Sequence, residues 1–145
     1  MSKANKLTVN LYRDGSLESS HEINVYTNNK QYKDYFFPRS SVKPMQVIPL
    51  LLEASKQNIE FTSEEIALFA ASHSGQVKHI NLLKKTASKY QVNLEEIICG
   101  PQRPFHDETA DNLLISGNKY SKLHNNCSGK HLSMLIFSKL LSVDS

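Results

Sequence analysis

The sequence predicts an α+β fold in which an antiparallel sheet precedes a block of helices. Apolar and polar residues alternate before residue 38, and after it apolar residues recur at helical spacing. The chain has 145 residues, which is enough for one modest hydrophobic core. We therefore expect a single domain, with residues 1–6 disordered, a strand block over residues 7–37 and a mainly helical block over residues 38–145.

The strand block predicts an antiparallel meander. The segments KLTVNLY and SLESSHEINVYT alternate in polarity, and the turn signal RDG at Arg13, Asp14 and Gly15 separates them. A second turn signal, TNNK, precedes the aromatic segment QYKDYFF.

The first predicted helix lies in SSVKPMQVIPLLLEASKQ. Its apolar residues are too crowded for one amphipathic stripe, so we expect it to be largely buried. A start near Ser40 or Ser41 places Pro44 in the first turn, where the missing N–H is tolerated. Pro49 lies further inside the pattern and should kink or break the helix.

Later helices are marked by their ends. Thr62 and Glu65 form a capping box that opens a second helix, and Gly75 can take a left-handed conformation after it. A third helix is expected from Lys78 to Tyr90, and the last one begins near Ser128.

Composition and charge exclude several classes of protein. The net charge is only +3 and the lysines are scattered, so we expect no nucleic-acid-binding surface. No segment approaches the roughly 18 apolar residues of a membrane span or forms the apolar region of a signal peptide, which predicts a cytoplasmic protein. Two cysteines, Cys99 and Cys127, are too few for a disulfide framework and are expected to be free thiols.

The segment PRSSVKP contains a candidate nucleophile and base. Ser40 and Lys43 lie one turn apart on the same face at the start of a helix, where backbone N–H groups can stabilise negative charge. A neutral lysine can accept the serine proton, as in serine β-lactamases and penicillin-binding proteins. The alternative is a capping serine beside a surface lysine, since the same short pattern recurs at Ser116 and Lys119.

The segment AASHSGQ places Ser72 and Ser74 on either side of His73, just after a predicted helix. Such hydroxyl groups often only satisfy the free carbonyls at a helix end. As a second hydroxyl facing Ser40, Ser72 could instead relay protons or hold a substrate carboxylate.

The segment HNNCSGKH, residues 124–131, is polar apart from its sulfur, so we do not expect it in the core. A phosphate-binding loop is excluded, because His124 stands where such a loop needs glycine. A zinc site made by His124, Cys127 and His131 is one alternative, although the spacing is not that of a structural zinc finger. The others are an asparagine-rich capping loop and a donor-rich turn suited to a carboxylate or oxyanion.

Four segments, FFPRSSVKPMQ, AASHSGQ, CGPQRP and LHNNCSGKH, in this order resemble the type II asparaginase family of the plant and rhizobial kind. That family is similar in fold to the serine β-lactamases. The resemblance implies a serine β-lactamase-like α+β architecture and hydrolysis of the small-molecule substrate L-asparagine to L-aspartate and ammonia.

The resemblance also implies roles for individual residues. It assigns catalysis to Ser40, Lys43 and Ser72, and it implies that Cys127 and Lys130 can bind a non-essential zinc near the active site. Lysine is an unusual ligand, because it must be deprotonated. The remaining candidates, predicted to bind the substrate, are Arg39, His73 and Asn126.

Members of this family are usually much longer than this chain, and their second half supplies a further catalytic lysine, an acidic zinc ligand and part of the sheet. We therefore expect the N-terminal part of the family domain, with a second copy or the missing C-terminal half as partner. One alternative is an inactive remnant, or a half that needs a complementing polypeptide. Another is a β-lactamase-like acyl transferase, although the S-D-N and K-T-G elements of such enzymes are absent.

Overall fold

The structure is a computed structural model that describes residues 6–24 and 39–142. The described residues belong to two compact units, one within residues 1–37 and the other within residues 38–145. The predicted turn TNNK and the aromatic segment QYKDYFF lie outside the described residues.

The first unit contains an antiparallel hairpin of β1 (Lys6–Arg13) and β2 (Ser16–Asn24). Asp14 and Gly15 connect the strands, and both have positive φ angles, 50° and 79°. A two-residue hairpin turn favours positive φ at both residues, because the twist of such a turn matches the twist of the two strands. The register shifts between Leu11 and Tyr12, so the pairing is irregular at this point. The first two strands and their turn are therefore as predicted.

The second unit is helical throughout its described part. Its five α-helices are α1 (Lys43–Lys56), α2 (Ser63–Ala70), α3 (Val77–Lys89), α4 (Asp107–Ile115) and α5 (Ser128–Leu140). Single 3-10 turns cover Arg39–Val42, Leu94–Glu96 and Lys122–His124. Together with the hairpin, these helices confirm the predicted α+β class. None of the described helices is long and apolar enough to cross a lipid bilayer.

Helix α1 differs from its prediction in two ways. It continues through Pro49, so the predicted break is wrong, although Pro44 does lie in the first turn. Only one stripe of α1 is buried, whereas Met45, Ile48 and Leu52 are exposed. The crowding of apolar residues therefore did not mean burial, because the neighbouring helices cover a single face.

The core of this unit lies where α1, α2 and α5 pack against one another, with α3 beside α2 and α5. Its fully buried side chains include Leu50, Phe69, Leu83, Leu132 and Ile136. Burying each such side chain contributes about 1.5–3 kcal/mol. The core thus fixes the beginnings of α1 and α5 and the end of α2 relative to one another.

The predicted capping box at the start of α2 is present. The Glu65 backbone N–H donates to Thr62 Oγ1 at 3.2 Å, and the Thr62 N–H donates to the Glu65 carboxylate at 2.9 Å. Glu65 is buried and also accepts from Lys89 Nζ at 3.1 Å, so its charge is paired. This bond joins the start of α2 to the end of α3.

Candidate active site

Three of the predicted motifs meet at the amine of Lys43. This residue opens α1, and its side chain is buried, with 3% of its surface exposed. Its Nζ donates to Ser72 Oγ at 2.8 Å, to the Ala71 carbonyl at 3.3 Å and to the Asn126 carbonyl at 3.5 Å. A buried amine is costly unless it is hydrogen-bonded, so these acceptors determine where the lysine can lie.

The turn that carries Ser72 begins where α2 ends, at Ala70. It closes at Gly75, whose φ is +77°. A Cβ at this position would lie 2.9 Å from Pro104 Cβ and 3.1 Å from the His124 carbonyl oxygen. Glycine is therefore required both by the left-handed backbone and by the lack of space. The prediction of a left-handed glycine here is confirmed.

Ser40 lies in the 3-10 turn Arg39–Val42, directly before α1, and its side chain is exposed. Lys43 follows three residues later as the first residue of α1, and its amine bonds to Ser72, Ala71 and Asn126; no hydrogen bond joins it to Ser40 among the described residues. Arg39 is also exposed and has a φ of 48°, an uncommon conformation for a residue with a Cβ.

His73 is buried, and both of its ring nitrogens have partners within the protein. The Gly75 backbone N–H donates to Nδ1 at 3.1 Å, so a neutral ring carries its proton on Nε2 and donates to Ser128 Oγ at 2.7 Å. Burial, assisted by electrostatic interactions with His79, Lys43 and His124, lowers the pKa of His73 to about 4. The imidazole is therefore neutral near pH 7 and has no free nitrogen to offer a ligand.

Asn126 approaches Lys43 through its backbone carbonyl and not through its side chain. Its Oδ1 accepts from the Cys127 thiol at 3.0 Å, and its N–H donates to Gln102 Oε1 at 3.4 Å. Asn125 Nδ2 donates to the Gly100 carbonyl at 2.9 Å. The segment CGPQRP thus holds the loop before α5 in place, a role that the sequence pattern did not assign.

The expectation that HNNCSGKH stays outside the core is wrong for Ser128 and Gly129, which are both buried at the start of α5. A Cβ at Gly129 would overlap the carbonyl oxygen of Leu68 and lie 2.9 Å from Leu68 Cγ. The two small residues therefore let α5 approach α2 closely. The small size of these two residues is visible in the sequence. Their role in packing α5 against α2 could not be predicted from it, because the sequence does not show which helix lies beside them.

The predicted zinc ligands, Cys127 and Lys130, are both half-buried and lie at the start of α5. The part of the chain that the structure describes contains no group of three or more histidine, cysteine, aspartate or glutamate side chains that could hold a metal. The alternative site of His124, Cys127 and His131 is therefore not formed. Zinc in proteins takes four ligands as a rule, so these two residues do not fit the ion by themselves.

An open cleft of about 690 Å³ lies beside the turn that carries Ser72. Ser72, His73 and Ser74 form one wall, and side chains of α2 and α3, among them Glu64 and His79, form the others. A cleft of this volume is within the usual range for small-molecule sites.

A serine hydroxyl bonded to a buried lysine in a mixed α and β chain is the kind of site found in acyl-transferring hydrolases. A family model described as L-asparaginase II matches residues 9–145. The chain therefore belongs to the L-asparaginase II family and is an asparaginase-like amidohydrolase that acts on a small molecule. No curated protein sequence matches it significantly.

The family resemblance read from the four motifs is thus confirmed, while its assignment to the plant and rhizobial kind stays a prediction. The same holds for the cytoplasmic location, for the expected homodimer and for a missing C-terminal half.

Proposed function

We propose that the chain hydrolyses L-asparagine to L-aspartate and ammonia, with Ser40 as nucleophile and Lys43 as base. The observation that supports this most is the 2.8 Å bond from the buried Lys43 amine to Ser72 Oγ. It supports a lysine that acts together with a serine hydroxyl, and Ser40 lies on the turn directly before this lysine in the chain.

The reaction begins when Ser40 Oγ attacks the side-chain amide carbon of asparagine. For this step Lys43 must be a neutral amine, which can donate to only two of its three acceptors at a time and has a lone pair to take the serine proton. Backbone N–H groups at the start of α1 stabilise the oxyanion. The C–N bond then breaks, and the proton held by Lys43 goes to the departing nitrogen, which leaves as ammonia. Water attacks the resulting ester in the same manner, which releases aspartate and returns the proton to Ser40.

Ser72 has a supporting role in this proposal. Because its Oγ accepts from Lys43 Nζ, it orients the amine and can pass a proton to or from it. Its place on the wall of the cleft also allows it to contact a bound amino acid. Arg39 and Asn126 are kept as substrate-binding candidates, Arg39 because its exposed guanidinium suits a carboxylate.

The test is ammonia release from L-asparagine by the purified 145-residue chain and its variants. We expect Ser40→Ala and Lys43→Met to lower kcat by about 10³-fold or more, and Ser72→Ala by about 10²–10⁴-fold. Ser116 and Lys119 repeat the same spacing at exposed positions outside the cleft. Ser116→Ala and Lys119→Met are therefore matched controls that should retain full activity.

Full activity in Ser40→Ala would rule out this mechanism. If the folded chain, checked by circular dichroism, releases no ammonia, the alternative of a half that needs a complementing polypeptide gains support. Hydrolysis of a chromogenic β-lactam in place of asparagine would favour the β-lactamase-like acyl transferase.

A further inference from the structure

The two loops that hold the Lys43 amine are joined to each other by one buried histidine. Ala71 and Ser72, on the turn after α2, accept from the amine on one side, and the Asn126 carbonyl before α5 accepts on the other. His73 directly follows Ser72 and donates to Ser128, two residues beyond Asn126.

The donor and the acceptor of each hydrogen bond along this connection can be assigned. The Gly75 N–H can only donate, so Nδ1 of His73 must accept, and the ring proton of the neutral imidazole lies on Nε2. Nε2–H then donates to Ser128 Oγ at 2.7 Å, and the Ser128 hydroxyl donates to the Leu123 carbonyl at 3.1 Å. A proton on Nδ1 would face the Gly75 N–H, so this geometry disfavours the imidazolium.

We infer that His73 is a positioning residue: its neutral ring ties the turn of Ser72 to the start of α5 and so fixes the acceptors between which Lys43 lies. This assignment rests on the proposed function and replaces a direct contact of His73 with the substrate. A misplacement of about 1 Å at a reacting group can cost on the order of 10²-fold in rate. The depressed pKa of His73, caused by burial and by the neighbouring His79, Lys43 and His124, agrees with a ring that stays neutral.

The kinetic test separates the two bonds of the ring. Gln in place of His73 can still reach Ser128 and donate to it, whereas the shorter Asn amide ends near the position of Nδ1, where it can accept from the Gly75 N–H but not donate to Ser128. We expect His73→Asn and Ser128→Ala to lower kcat by about tenfold to a hundredfold with KM nearly unchanged, and His73→Gln to stay within about threefold of wild type. The double variant His73→Asn/Ser128→Ala should lose no more than either single one, because both break the same bond.

Two control variants accompany this series. Ser133 is a buried serine of the same helix whose Oγ donates to its own turn, at the Lys130 carbonyl. Ser133→Ala should therefore leave kcat unchanged. His21, an exposed histidine of the hairpin, serves the same purpose for the His→Gln change. Equal losses in His73→Gln and His73→Asn, or a His73→Gln variant that has lost one limb of its pH–rate profile, would overturn the positioning role.

A second measurement does not depend on activity. In the full chain labelled with ¹⁵N, long-range proton–nitrogen spectra at pH 7 should show His73 protonated at Nε2 and bare at Nδ1. Ser128→Ala should shift the backbone amide signals of Ser72 and Asn126, and Ser133→Ala should not. An Nδ1–H tautomer, an imidazolium, or unshifted amides in Ser128→Ala would refute the inference. If the chain hydrolyses no asparagine while these signals behave as expected, the proposed function fails and the positioning of the Lys43 acceptors stands.

Discussion

Replacing Gly129 with alanine is the most direct test of how closely α5 packs against α2. It is buried in the first turn of α5, and a Cβ added there would overlap the Leu68 carbonyl oxygen and lie 2.9 Å from both the Leu68 carbonyl carbon and Cγ. The first of these contacts is with the backbone of α2, which cannot rotate away as a flexible side chain would. Gly129→Ala must therefore push the two helices apart.

The size of the effect follows from two opposing terms. Overpacking of a close-packed site costs about 1–3 kcal/mol, and a clash with backbone belongs at the upper end of that range. Alanine within a helix recovers about 0.5–1 kcal/mol relative to glycine. We expect a net loss of about 2 kcal/mol in the free energy of unfolding, which is a large part of the 5–15 kcal/mol typical of a domain.

Urea unfolding followed by circular dichroism measures this loss as a lower midpoint at an unchanged slope. Gly100→Ala is the matched control, because a Cβ at that position meets nothing within 4 Å. A Gly129→Ala variant as stable as wild type, or as stable as Gly100→Ala, would show that α5 does not approach Leu68 this closely.

Three further predictions concern the turn of Ser72 and the ends of α2. Gly75→Ala should lose about 2 kcal/mol or more of unfolding free energy in the same urea assay, since it combines a left-handed backbone with a close contact to Pro104; an unchanged midpoint would contradict this. Thr62→Ala should lower the free energy of unfolding by about 1 kcal/mol, because it removes the cap of α2, while Thr62→Ser keeps the hydroxyl and should lose far less. Equal losses in the two variants would mean that the bond to Glu65 is not what stabilises α2.

The third of these predictions is a dependence of stability on pH. His73 has a pKa of about 4 in the folded chain, below its ordinary value of 6.5, so the unfolded chain binds the proton more readily. The stabilisation that His73 contributes to the free energy of unfolding is fully present above about pH 6.5. It is lost as the pH falls toward 4, and the loss amounts to up to about 3 kcal/mol. Urea midpoints measured from pH 7.5 to pH 4 should fall more steeply for wild type than for His73→Gln, and parallel curves would contradict the buried neutral ring.

Local features of the fold could be predicted because neighbouring residues determine them. The turn at Asp14 and Gly15, the capping box of Thr62 and the start of α5 at Ser128 depend on backbone preferences and on hydrogen bonds within a few residues. The continuation of α1 through Pro49 was not predicted. One missing hydrogen bond at this exposed position is offset by the rest of the helix and its packing, which the local sequence does not show.

The sequence by itself determined the α+β class, the family, and the residue types available for chemistry at Ser40, Lys43 and Ser72. Only the tertiary structure decided that the Lys43 amine bonds to Ser72, that both nitrogens of His73 are engaged, and that Gly129 lies against α2. Apart from the local bond between Gly75 and His73, these contacts join residues that are tens of positions apart in the chain. They arise from the packing of α1, α2 and α5 around a shared core, which no pattern of a few residues specifies.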